Sequence, residues 1–143
     1  MKFKSRKDRL TLITIYGLIS ILIGLFILDF INGGIEKGEI WQYFIILGVI
    51  VLLISVLHGT NYELTEKYLK YNCGPIRGKI EINRINTIIK DKTLWIGFKP
   101  ATARKGLIIK YDKYNDLYIS PKTNELFIEK ILDLNNEIKI KTD

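Results

Sequence analysis

The residue types that ordinarily perform chemistry are few in this 143-residue chain, and they are not spaced to cooperate. One cysteine, Cys73, and one histidine, His58, cannot make an intrachain disulfide or a zinc-ligand set. Hydrolysis or acyl transfer needs a nucleophile beside a general base, and the single histidine, His58, stands at the end of a long apolar run. Glu63, Glu81 and Asp112 each sit in charge-alternating stretches that read as solvated strands rather than as a paired acid and base. Gly74-Pro75 followed by Gly78 has neither the spacing nor the following helix of a phosphate-binding loop. Ser120-Pro121 reads as punctuation: Pro121 suits the first position of a helix and Ser120 its N-cap. These residues predict a non-catalytic chain with no metal and no cofactor.

The elements around these residues are easier to read. Composition is 48% hydrophobic and 26% charged, with net charge +7, but the two classes are segregated. Residues 10–31 hold one ionisable group, Asp29, and residues 40–57 hold none. As helices they rise roughly 33 Å and 27 Å, against a hydrocarbon core of about 30 Å. Both are predicted to span a membrane, with Trp41, Tyr43 and His58 at its interfaces. A cleaved signal peptide is disfavoured, because the first run is too long and ends in "LDFINGG" rather than at small residues.

Lys2, Lys4, Arg6, Lys7 and Arg9 precede the first run, the connector around Gly33-Gly34 carries one lysine, and lysines return after His58. The basic flanks predict a multi-pass protein of the cell membrane with both termini cytoplasmic. The expected division is a basic N-terminus at 1–9, a hairpin at 10–58 and a cytoplasmic domain at 59–143. Gly17, Ser20 and Gly24 share a face of the first helix, and Gly48 and Ser55 share a face of the second. Small residues let helices approach closely in lipid, so these five are the expected packing positions, within the hairpin or in an oligomer.

From Gly59 onward, 16 Lys or Arg face 11 Asp or Glu, a net charge of +5. "NYELTE", "KYLKYN", "GKIEIN", "NTIIKD", "GLIIKYD" and "DLYIS" read as short strands, and "CGPIRGK" as a turn. After Pro121 the period becomes helical, with Phe127, Ile131 and Leu134 on one stripe, until Asn135-Asn136. The fold class is α+β: a transmembrane hairpin followed by roughly seven antiparallel strands closed by a C-terminal helix.

In that order, "YELTEKYLKYNCGPIRGKIEINRINTI", "ATARKGLIIKY" and "LYISPKTNELFIEKIL" resemble the bacterial PH-like domains of the YyaB type, which commonly follow two transmembrane helices. The resemblance implies a seven-stranded antiparallel barrel or sandwich capped by a helix. The chain departs from the family at residues 102–106, where Thr-Ala-Arg-Lys-Gly stands in place of a form like Ser-x-Asp-Arg.

PH-like domains elsewhere often bind acidic lipid through the loop between their first two strands, but here that loop is the short "LTEKY". The basic material lies elsewhere: Lys90, Lys92, Lys99, Arg104 and Lys105 fall close together in sequence with Trp95 and Phe98. These seven are the candidate membrane-surface contacts. Charges of both signs alternate along the strands, which disfavours nucleic acid. Two functions of different class follow: a membrane-anchored interaction module that binds a protein or peptide, or the anionic inner surface, and an immunity protein acting against an antimicrobial peptide.

Overall fold

A computed structural model of the chain describes residues 1–33, 40–94 and 97–142. Two helices, α1 (Arg9–Ile31) and α2 (Ile40–Gly59), are long and apolar enough to cross a membrane. Only Ile19 and Leu57 of these helices are buried in the isolated chain, which is unlike the core helices of a water-soluble domain. They touch through the edge-to-face pair Phe26–Tyr43 at 5.0 Å and through Asp29, whose carboxylate accepts from Tyr43 Oη at 2.6 Å and Gln42 Nε2 at 3.2 Å. The glycines are not at this contact: a Cβ at Gly17, Gly24 or Gly48 would meet nothing within 4 Å. Ser20 Oγ donates back to Tyr16 O in its own helix. The three glycines of the small-residue face therefore do not pack the two helices against each other.

The remainder forms two four-stranded sheets. The first runs β1 (Lys2–Lys4), β2 (Asn61–Leu64), β3 (Tyr68–Cys73), β4 (Ile76–Glu81), all antiparallel. A 3-10 turn at Ile82–Arg84 leads to β5 (Ile85–Lys92), which pairs with β6 (Gly106–Tyr111), which pairs with β7 (Asn115–Ile119). Helix α3 (Asn124–Leu134) follows, and β8 (Lys139–Thr142) then pairs with β5 in parallel. Strand alternation sends Tyr62, Leu64, Leu69, Ile88, Leu107, Ile109, Leu117 and Ile119 inward, where Phe127 and Ile131 of α3 cover them. Leu134, at the end of the predicted stripe, stays exposed.

Three expectations are corrected. Among the described residues there are eight strands rather than seven, and the β5–β8 pair is parallel. Residues 1–9 are not a separate flank, because Lys2, Phe3 and Lys4 pair with Glu63, Tyr62 and Asn61, and the Phe3 ring stands edge-to-face on Phe127 at 5.1 Å. Finally, α3 begins at Asn124 with Thr123 at its N-cap, so Ser120 and Pro121 lie ahead of the helix and cap nothing.

Ser120 is instead part of a buried hydroxyl cluster. Its Oγ lies 2.9 Å from Ser5 Oγ and accepts from the Thr102 amide at 3.1 Å. Ser5 Oγ also lies 2.9 Å from Thr102 Oγ1 and 3.1 Å from the Tyr62 hydroxyl. Tyr62 donates to Pro100 O at 2.6 Å and accepts from the Ser120 amide at 3.0 Å. Burial pushes the Tyr62 phenol above its usual range, so it stays protonated and acts as a donor. These hydroxyls join four chain segments, around Ser5, Tyr62, Thr102 and Ser120, to one another.

Candidate functional site

The pairings give the domain a definite end at which both long helices attach. Ser5 N donates to Thr60 O, so the chain entering α1 and the chain leaving α2 run side by side. Lys92 pairs with Gly106 at the same end, and the Gly74 turn lies against Val56 of α2. The opposite end carries the turns at 65–67 and 112–114.

At the helix end, Arg6, Lys7, Arg9, Arg104 and Lys105 line a groove of about 850 Å³ together with Asp8 and Asp91. Five cations and two carboxylates leave a local excess of positive charge. The loop supplying Arg104 and Lys105 is held from below. Tyr118 Oη donates to Ala103 O at 2.9 Å and accepts from the Gly106 amide at 2.9 Å, while Asn124 Nδ2 donates to Lys105 O at 3.1 Å. Gly106 is required there, since a Cβ would lie 2.2 Å from Ile119 O. Arg6 donates to the carbonyls of Arg104 and Lys105 at 2.8 Å and 2.7 Å, joining the N-terminal segment to this loop. Arg104 Nε donates to Asp8 at 2.7 Å and holds that carboxyl below its ordinary value.

The far end has the opposite character. A second groove, of about 550 Å³, is lined by Glu66, Glu81 and Glu137 with Lys67. The two grooves therefore differ in charge, basic beside the apolar helices and acidic away from them.

The predicted basic cluster is divided by the fold. Arg104 and Lys105 enter the groove, but Lys90 is engaged by Glu125 at 2.7 Å and Asp91 at 3.7 Å. Lys92 ends β5. Phe98 packs on Tyr71 with ring centres 5.5 Å apart, and Lys99 follows it on the surface. Trp95 lies outside the described residues. Arg6, Lys7 and Arg9 were read from sequence only as orientation signals. Their proximity to Arg104 depends on pairing across more than ninety residues, for which the sequence has no local marker. Among the described residues there is no cluster of His, Cys, Asp or Glu suited to a metal ion, and Cys73 is buried.

Residues 60–135 match the model of the family described as Bacterial PH domain. The chain is also 28% identical over 144 residues to "Uncharacterized protein YyaB" of Bacillus subtilis (strain 168), an alignment covering 99% of this chain and 98% of that one. No solved structure matches the chain. The matched segment is more than half of the 143 residues and contains both sheets apart from β1 and β8, together with α3; the chain belongs to the bacterial PH domain family.

Proposed function

We propose that this protein is a membrane-anchored, non-catalytic PH-like interaction module of the cell membrane whose basic end rests on the anionic inner leaflet. The observation that carries this reading is the groove of Arg6, Lys7, Arg9, Arg104 and Lys105, which lies where α1 begins. A basic group near an anionic leaflet gains about 1 kcal/mol, and the gain decays over a Debye length of about 8 Å at physiological salt. Only groups held at the helix end are close enough to benefit. The pairing of β1 with β2 supports a topology with both hairpin ends, and hence both termini, on one side. The basic residues at both flanks favour the cytoplasm as that side. Of the two occupants considered, lipid surface and peptide, the difference in charge between the two grooves favours the surface. The single histidine, His58, and the base-free hydroxyl cluster support a non-catalytic role.

The test uses the full chain in bilayers that mix phosphatidylcholine with phosphatidylglycerol and contain a trace of spin-labelled lipid of either kind. The protein should immobilise the anionic probe in preference to the zwitterionic one. The preference should fall with salt and be abolished in the Lys7→Glu, Arg9→Glu, Lys105→Glu variant. Equal immobilisation of both probes at low salt would refute the reading.

A further inference from the structure

We infer that the tip of the β3–β4 turn is a second membrane-contact element, inserted into the lipid interface beside α2. The inference rests on the reading that α2 crosses the bilayer. Residues Cys73 and Ile76 pair across a two-residue turn in which Gly74 takes φ +58°, a conformation suited to glycine at the first central position. The turn is pressed on α2: a Cβ at Gly74 would lie 3.1 Å from both the Val56 amide nitrogen and its Cγ2. Val56 stands three residues inside the end of α2, about 4.5 Å along the axis at 1.5 Å per residue. The turn therefore reaches the level of the last apolar turn of the helix.

What the turn carries fits that depth. Ile76 is 50% exposed although β4 alternation places it on the inner face with Ile80. It stands at the end of β4, where Cys73 and Ile76 form the last pair before the turn. On the same face Tyr71 pairs with Gly78, whose missing side chain makes room for the Tyr71 ring, and Phe98, 41% exposed, packs on that ring. Ile76, Tyr71 and Phe98 thus supply apolar surface at this end of the sheet, and their chain neighbours Arg77 and Lys99 are exposed. In water its exposure is unfavourable by roughly 25 cal/mol per Å² of apolar surface. At a bilayer interface apolar and aromatic groups enter the headgroup zone while adjacent cations meet phosphate. Continuity with α2 identifies the occupant as lipid.

The test places an environment-sensitive fluorophore on Ile76→Cys in the full chain, reconstituted in parallel in bilayers whose lipids are spin-labelled near the headgroup or deep in the acyl chain. Native Cys73 is buried and takes little label, which the parent chain controls. Leu47→Cys, exposed in the middle of α2, reports the span, and Tyr114→Cys, 83% exposed at the far end, reports the aqueous side. The expected result is a blue-shifted, strongly quenched signal at 76, quenching by deeper spin labels at 47 and none at 114. A signal at 76 as unquenched as that at 114, with 47 quenched, would overturn the inference and leave the anchored reading standing. An unquenched signal at 47 would overturn both. Excimer emission from pyrene at 76, without lipid quenching, would show a second copy of the chain on this surface and also overturn the inference.

Discussion

Replacing Tyr62 by Phe removes one oxygen and should be among the more destabilising conservative changes in the domain. Tyr62 is fully buried, and its hydroxyl serves Pro100 O at 2.6 Å and the Ser120 amide at 3.0 Å. Both partners are themselves buried, so neither recovers a bond from bulk water. A buried polar group left without a partner costs about 1–3 kcal/mol, so two such groups predict a loss of about 2–6 kcal/mol. Ser5 keeps its bonds to Ser120 and Thr102 and adds little to the total. Amide hydrogen exchange of the detergent-solubilised full chain reads this directly, since the β6 amides of Gly106–Tyr111 exchange through global opening. Tyr114→Phe, on an exposed ring, is the control. Ser120→Ala in the same assay should open the Thr102 amide, which loses its acceptor, rather than the first turn of α3. If Tyr62→Phe changes the opening free energy by less than about 0.5 kcal/mol, the range of an ordinary surface change, the hydroxyl cluster does not hold these segments together.

Two further outcomes follow from the same geometry. A fragment beginning at residue 59 loses β1 and the buried Phe3 ring, a loss of about 3–5 kcal/mol by analogy with Phe→Ala in a core, and should be poorly folded. Joining residues 1–8 to 59–143 through a short Gly/Ser linker should restore dispersed amide resonances, because Ser5 N and Thr60 O are already 3.3 Å apart. The second outcome concerns acid. Arg104 lowers the carboxyl of Asp8, Arg84 that of Asp112, and Lys90 that of Glu125. The folded chain thus binds protons less readily than the unfolded one, so this stability is complete above the ordinary carboxyl values of 3.8 and 4.5 and is lost as pH falls through the lowered ones. Denaturation midpoints should drop on acidification, and Arg84→Gln should flatten part of that drop.

Periodicity made much of this fold legible. Long apolar runs marked α1 and α2, and alternation marked β2, β3, β5, β6 and β7, because in each case the signal is local and repeats. β1 was not legible: three residues, Lys-Phe-Lys, are too few to show a period, and in a basic flank they serve equally well as topology signals. Nor was β8, whose four side chains are all exposed and so carry no burial pattern. Ser120-Pro121 misled for a different reason. A helix start and a buried strand end favour the same pair of residue types, and only the partners Ser5, Tyr62 and Thr102, brought from three distant segments, distinguish them. The candidate site was half legible: Arg104 and Lys105 were identified, while their companions across the groove were read for orientation alone.

The placement of β1 bears on how the domain can act. Leu64 N donates to Met1 O, Lys122 N to Lys4 O, Arg6 N to Ser120 O and Asp8 N to Thr102 O, so the N-terminal segment is bonded on both sides until the residue before α1. Only Thr60 separates α2 from β2. Neither helix is joined to the domain through slack chain, and a flexible tether requires several residues without fixed partners. A rotation of the domain that moved its basic groove relative to the hairpin would have to break these bonds or carry the helices with it. The hairpin therefore holds the groove and the Gly74 turn at a fixed height relative to its own axis. Anything that binds the far, acidic end is coupled to helix tilt rather than to a swinging domain.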